Sequence, residues 1–195
     1  MIKAVIFDYG GVFVKYKPGD IYVTAGQKLG VGDRVSAFVK KYYSIMGKMT
    51  RGEILKHISK TGINPKVWER NVVQLLEKRK RRKELVALAK RLKKKGYVVS
   101  LLSNVNSITA RFNKTRGYYD IFSPFILSCE VKAMKPQKKI YRIALRRIGL
   151  SPKACVFIDD HDRCIKTAKK LGMHAIPYKT SSQVMKDLKK LGVKW

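Results

Sequence analysis

Four groups of polar residues in this 195-residue sequence stand where an apolar run stops. Asp8, followed by Tyr9, Gly10 and Gly11, ends the run from Ile2, and Ser103 and Asn104 end Val98 to Leu102. Lys135 and Pro136 follow soon after Phe125 to Leu127, and Asp159 and Asp160 end Ala154 to Ile158. Converging carboxylates repel one another, a divalent cation relieves that repulsion, and an oxygen-only ligand set suits magnesium. A carboxylate can also act as a covalent nucleophile, while a lysine, a hydroxyl and main-chain amides stabilise charge on a group in transfer. Each group has a plainer reading as well. Asp-x-Gly-Gly is common turn chemistry, Ser103 and Asn104 can cap a helix from Ser107 onward, and Asp159 and Asp160 can cap the helix through Ile165. Lys135 can be a solvated loop charge. Taken together and in order, the four groups favour the chemical reading.

The elements that must position these residues are legible as well. The runs ending at Phe7, Leu102 and Ile158 are almost continuously apolar, the pattern of strands covered on both faces of a parallel sheet. Helical patterns alternate with them: Leu85, Leu88, Ala89 and Leu92 before Gly96; Ile140, Ile143, Ala144 and Ile148 before Gly149; Ala168 and Leu171 before Gly172. A short strand, His174 to Pro177, and a helix with Val184, Leu188 and Leu191 complete the series. This alternation predicts an α/β fold, a doubly wound parallel sheet built with right-handed crossovers. If the first strand is central, with the second and third on one side and the fourth and fifth on the other, the order reverses between strands one and four. Asp8 and Asp160 then meet in the crevice at that reversal.

From Lys15 to Arg81 the pattern is helical only. Asp33 precedes a stripe of Val35, Phe38, Val39, Tyr42 and Met46, and Thr50 with Glu53 makes a capping-box pattern ahead of Ile54, Leu55 and Ile58. Asn64 and Pro65 open a third helix carrying Trp68, Val72, Leu75 and Leu76. The expected division is a Rossmann-like core of residues 1–14 and 82–195, with a small all-helical insertion, 15–81, after the first strand.

The phrases IKAVIFDYGGV, GYVVSLLSNVN, MKPQKKIY and VFIDD, in this order, resemble the motifs of the haloacid dehalogenase (HAD) superfamily of phosphohydrolases, most strongly from Gly96 to Gly172. The resemblance implies a magnesium-dependent phosphatase in which Asp8 attacks phosphorus to form an aspartyl-phosphate. It implies that Asp8, Asp160 and the main-chain carbonyl of Gly10 hold the metal and that Asp159 is a less direct partner. Lys135, Ser103, Asn104 and the turn at Tyr9 and Gly10 are implied to bind the phosphoryl group; between phosphate and leaving group the sequence does not decide for Asn104 and Asn106. The insertion resembles the helical cap of subfamily I, which closes over the active site. DxGGV and the SNxN run are similar to a branch that includes sugar-phosphate phosphatases of the α-glucose-1-phosphate type, so the implied substrate is a small phosphomonoester. Two places depart from the pattern. Gly10 stands where many of these phosphatases carry the aspartate that protonates the leaving group, and Cys164 and Thr167 stand where asparagine and glycine or proline are frequent. Dehalogenases of the superfamily tend to carry a tyrosine two residues after the nucleophile; Tyr9 is one residue too early, and the paired aspartates favour metal.

Lysine and arginine number 44 against 13 acids, a formal charge of +31, with the densest block at Lys78 to Lys83. Such a surface attracts polyanions without regard to sequence and in a salt-dependent way. No nucleic-acid-binding motif accompanies it. The expectation is weak, nonspecific attraction for nucleic acid; the alternative is a catalytically weak protein of the same fold that binds nucleic acid or another polyanion through this surface. Three cysteines, Cys129, Cys155 and Cys164, lack metal spacing, and their odd number argues against a disulfide framework. No apolar run approaches a membrane span and the first residues do not read as a signal peptide, so the expected location is the cytoplasm. Nothing in the pattern specifies an oligomeric state.

Overall fold

In a computed structural model, which describes residues 1–15 and 18–195 with the side chains at 18, 19, 43 and 44 excepted, the apolar runs pair as one sheet. Strands β1 (Ala4–Phe7), β2 (Val98–Ser103), β3 (Phe125–Leu127), β4 (Cys155–Asp159) and β5 (His174–Pro177) lie in the order β3-β2-β1-β4-β5. Every pairing is parallel. Ala4, Val5, Ile6 and Phe7 are all fully buried, which is why the central place falls to this run. The register sets Phe7 beside Leu101 on one side and Ile158 on the other, and the Asp8 amide donates to Ile158 O at 2.8 Å. The reversal expected between the first and fourth strands is present, and the carboxyl ends of β1 and β4 adjoin.

Side chains alternate across the sheet, so each face recruits its own helices. Val5, Phe7, Val99 and Leu101 pack against α5 (Lys83–Lys94) and α10 (Ser181–Lys190), through Leu85, Leu88, Leu92, Val184 and Leu188. Ala4, Ile6, Leu102 and Phe157 meet α8 (Lys138–Ile148) and α9 (Asp162–Lys170), through Ile140, Tyr141, Ala144, Ile165 and Ala168. Each fully buried leucine or isoleucine contributes about 1.5–3 kcal/mol relative to exposure.

Four helices, α1 (Pro18–Gln27), α2 (Gly32–Met46), α3 (Arg51–Ser59) and α4 (Pro65–Glu77), occupy the stretch between β1 and α5. Tyr16 and Lys17, which the expected insertion includes, lie outside the described residues. The capping box forms as expected: Thr50 Oγ1 accepts from Glu53 N at 3.3 Å and Glu53 Oε2 accepts from Thr50 N at 2.6 Å. Asn64 Oδ1 likewise accepts from Lys66 N at 3.0 Å ahead of Trp68, Val72 and Leu76. These helices share an apolar cluster around Tyr22, Trp68 and Leu76, which also takes in Ile108 and Phe112 of α6 (Ser107–Thr115). The outgoing and returning connections run together, since Val14 and Arg81 form an antiparallel bridge and Arg82 N donates to Phe13 O at 2.8 Å. A single turn of helix, α7 (Ser128–Val131), follows β3. The three cysteines are free and buried, and no described helix is long and apolar enough to cross a membrane.

Candidate active site

At the carboxyl end of β1 the chain turns through Gly10 and Gly11, and Asp8 is left 7% exposed at the foot of a crevice. Gly11 has φ +77°, and a Cβ there would stand 2.1 Å from Asp160 Oδ2. Only glycine satisfies both the backbone and the close approach of Asp160 to the turn after Asp8. Arg82 locks the same turn from outside, donating through Nη1 to Gly11 O at 2.7 Å and Val12 O at 2.6 Å, with its guanidinium 5.0 Å from the Tyr178 ring.

Lys135 enters from the loop before α8. It is 5% exposed, and its Nζ lies 2.7 Å from Asp8 Oδ1 and 2.6 Å from Asp159 Oδ2. A buried ammonium survives only when paired. Burial alone would lower its pKa, but the Asp159 and Asp8 carboxylates outweigh that and hold it above the ordinary lysine value. The loop-charge reading of Lys135 is therefore excluded. Asp8 shows the opposite balance: burial, with Asp159 and Asp160, outweighs the pull of Lys135 and leaves it pushed up to about 7. Asp160 is the outermost carboxylate. Burial raises its pKa, and the 2.8 Å contact with His161 Nδ1 outweighs this and leaves it below the usual range.

Asp159 and Asp160 do not cap α9, whose N-cap position is His161 with no side-chain capping bond. Asp159 instead bridges, with Oδ2 on Lys135 and Oδ1 accepting from His161 N at 2.8 Å. Ser103 closes β2, 3% exposed, at the same edge of the sheet. Asn104 acts on the main chain of Lys135: its Nδ2 donates to Lys135 O and its Oδ1 accepts from Lys135 N, both at 2.8 Å. Its side chain thus positions the lysine. The Tyr9 ring turns into the core beside Phe13 and Tyr119, so any part in phosphate binding belongs to its main chain. Asn106, whose role the sequence leaves undecided, is engaged within the fold. Its Oδ1 caps α6 by accepting from Thr109 N at 3.1 Å, and its Nδ2 donates to Tyr22 OH, which contacts Thr109 Oγ1 at 2.6 Å.

Sequence reading passed over three contributors. Arg82 was one cation in a block, and nothing local marks a contact with carbonyls 71 and 70 residues away. His161 follows the acidic pair with no pattern in the sequence that marks its contact with Asp160. Ser128 accepts from Val105 N at 2.9 Å and donates to Gly47 O at 2.6 Å, tying the loop after Ser103 to the connection between α2 and α3.

The family model for haloacid dehalogenase-like hydrolases matches residues 2–172, and so spans the turn at Asp8, the Ser103 strand end, Lys135 and the acidic pair. The chain belongs to this family of hydrolases. A HAD family enzyme from Bacteroides thetaiotaomicron, in complex with magnesium and inorganic phosphate, is similar with TM-score 0.79 and 24% identity over 92% of this chain and 95% of that one. A HAD phosphatase from Thermococcus onnurineus is similar with TM-score 0.71 and 20% identity, over 99% of each chain. At these identities the likeness speaks for the shared α/β fold. Among curated proteins, mouse acyl-CoA dehydrogenase family member 10 is 26% identical over 97% of this chain, and rat bifunctional epoxide hydrolase 2 is 26% identical over 60%. The chain spans only 19% and 22% of those proteins' lengths.

Proposed function

We propose that this HAD-family hydrolase is a magnesium-dependent phosphatase that cleaves a small phosphomonoester through Asp8. The observation that carries the reading is the buried Asp8–Lys135–Asp159 chain at the adjoining ends of β1 and β4, with Asp160 pressed against the turn at Gly11. A nucleophilic carboxylate must approach a phosphoryl dianion, and Lys135 offsets the repulsion between them. Asp8, Asp160 and the Gly10 carbonyl are an oxygen-only set that fits magnesium; the Asp8 pKa is raised first by burial and then by Asp159 and Asp160, and a divalent cation would relieve that repulsion between acids. Bound there, the ion would supply charge neutralisation at the phosphoryl oxygens.

In the proposed reaction an Asp8 oxygen bonds to phosphorus as the ester oxygen departs. Water then attacks phosphorus, Asp8 is restored, and inorganic phosphate is released. Ser103 and the amides of the turn face the phosphoryl oxygens, and Asn104 keeps Lys135 in line. Gly10 offers no proton to the leaving group, so substrates with acidic leaving groups, such as aryl phosphates or an anomeric sugar phosphate, suffer least, since general acid catalysis is worth about 100-fold to 10,000-fold. The helices of residues 15–81 act as a cap over this end of the sheet. The test is phosphate release from an aryl phosphate, expected to vanish with chelator and in Asp8→Asn while circular dichroism stays unchanged. Undiminished turnover in Asp8→Asn sinks the assignment.

A further inference from the structure

The reacting end of the site is buried, and its rim is most exposed at Asp160 and His161. The Asp8 and Lys135 side chains are 10% and 3% exposed, whereas Asp160 is 30% and His161 61% exposed. Asp160 and His161, at the start of α9, are the most open of these groups, and a leaving group that departs on their side meets the residues around the first turn of α9.

That rim carries more positive charge than the transferred phosphoryl group requires. Lys138 and Lys139 begin α8, three and four residues beyond Lys135; Arg163 is in the first turn of α9; and Lys179 follows Tyr178, whose amide donates to Asp159 O at 2.9 Å. All four are exposed. Among the described residues none of the four has an ion-pair partner, unlike Lys135, which is fully engaged within the site. Helix stability does not account for the pair on α8, because cations at a helix start oppose the macrodipole and the first turn of α8 has no acid to offset them. The first turn of α9 carries one acid, the exposed Asp162. Three separate elements adjoining the site thus carry exposed cations without ion-pair partners among the described residues, and such charge concentrates a multiply charged anion there.

We propose, resting on the phosphatase reading above, that the leaving group of the substrate carries a second phosphate, which Lys138, Lys139, Arg163 and Lys179 receive while the first sits at Asp8. The chemistry is shared by a small bisphosphate and by a phosphorylated nucleic-acid end. Two substrate arms separate these sources: adenosine 3′,5′-bisphosphate against adenosine 3′-monophosphate, and a 5′-phosphorylated oligonucleotide against adenosine 5′-monophosphate.

In low salt the second phosphate is expected to raise kcat/KM by about tenfold or more, and added salt to shrink the advantage. The double variant Lys138→Glu, Lys139→Glu, and separately Arg163→Glu, are expected to remove most of the advantage while leaving turnover of a simple aryl phosphate unchanged. An advantage confined to one arm identifies the source. Equal kcat/KM with and without the second phosphate in both arms overturns the proposal, as does an advantage that survives both charge-reversal variants. Calorimetric binding of the same pairs to full-length Asp8→Asn reads the inference without turnover. A tighter bisphosphate complex weakened by the Lys138→Glu, Lys139→Glu change supports it even if no substrate is hydrolysed, a result that would sink only the phosphatase reading.

Discussion

Asn104 shows how a residue can be essential to this site without facing its substrate. Both halves of its amide bind the Lys135 main chain, and the Lys135 side chain in turn joins Asp8 to Asp159. Asn104→Ala would leave a nearly buried N–H and C=O unpaired, a loss of about 1–3 kcal/mol that lets the lysine drift. Because 1.36 kcal/mol is tenfold in rate, kcat for phosphate release should fall by about 10-fold to 100-fold while substrate binding changes less. Steady-state kinetics with an aryl phosphate decide this, and an unaltered kcat would mean that Lys135 is held in place without Asn104. The sequence made Asp8, Ser103, Lys135 and the acidic pair legible because a polar residue at the end of an apolar run is a local signal. Which partner each one takes is not local, so the amide of Asn104 and the guanidinium of Arg82 could be read only from the folded chain.

At the scale of elements, the strands followed from their apolar runs, their order matches the one expected if the first strand is central, and the helices with strong stripes or caps were equally plain. Helix α1 was not, since PGDIYVTAGQ mixes glycine with β-branched and aromatic residues and offers no clear period. Its conformation is imposed by tertiary packing, with Tyr22 lying against Trp68 at a ring separation of 5.6 Å and reaching α6 through Thr109 and Asn106. This buried polar bridge ties the helical segment to the sheet's own helices, as does the packing of Ile108 and Phe112 into its core. A freely hinged lid would lack both. Tyr22→Phe should therefore destabilise the whole molecule by about 1–3 kcal/mol, through the partners left unsatisfied. Thr50→Ala, which removes one half of an exposed capping box, should cost about 0.5–2 kcal/mol. Urea unfolding followed by circular dichroism and by tryptophan fluorescence measures both. In a Trp195→Phe background Trp68 alone reports on the helical segment, and separate midpoints for the two probes would show that the segment unfolds on its own, contrary to the shared core.

On the scale of the whole molecule, charge is the property that composition announced and the fold reinterprets. The block from Lys78 to Lys83 reads as a continuous basic tract, yet half of it is committed internally. Arg79 donates to Asn113 Oδ1 at 3.0 Å, Arg81 lies 4.3 Å over the Tyr118 ring, and Arg82 holds the turn beside Asp8. Lys78, Lys80 and Lys83 remain exposed, one contribution among many to a net charge of +31. With half the tract engaged inside the fold, what it offers to solvent is three lysines. Attraction of nucleic acid to such charges depends on counterion release, and a protein touching about 6–10 phosphates loses roughly 10³–10⁵ in affinity between 50 and 200 mM salt. Duplex DNA lacking a terminal phosphate should accordingly bind weakly and lose nearly all affinity by physiological salt. Neutralising Lys78, Lys80 and Lys83 to glutamine should weaken binding only in proportion to the charge removed. A titration of fluorescent duplex at several salt concentrations reads both quantities. Tight binding that persists at physiological salt and disappears in the triple variant would instead make this tract a dedicated polyanion site, and nucleic acid the principal partner of the chain.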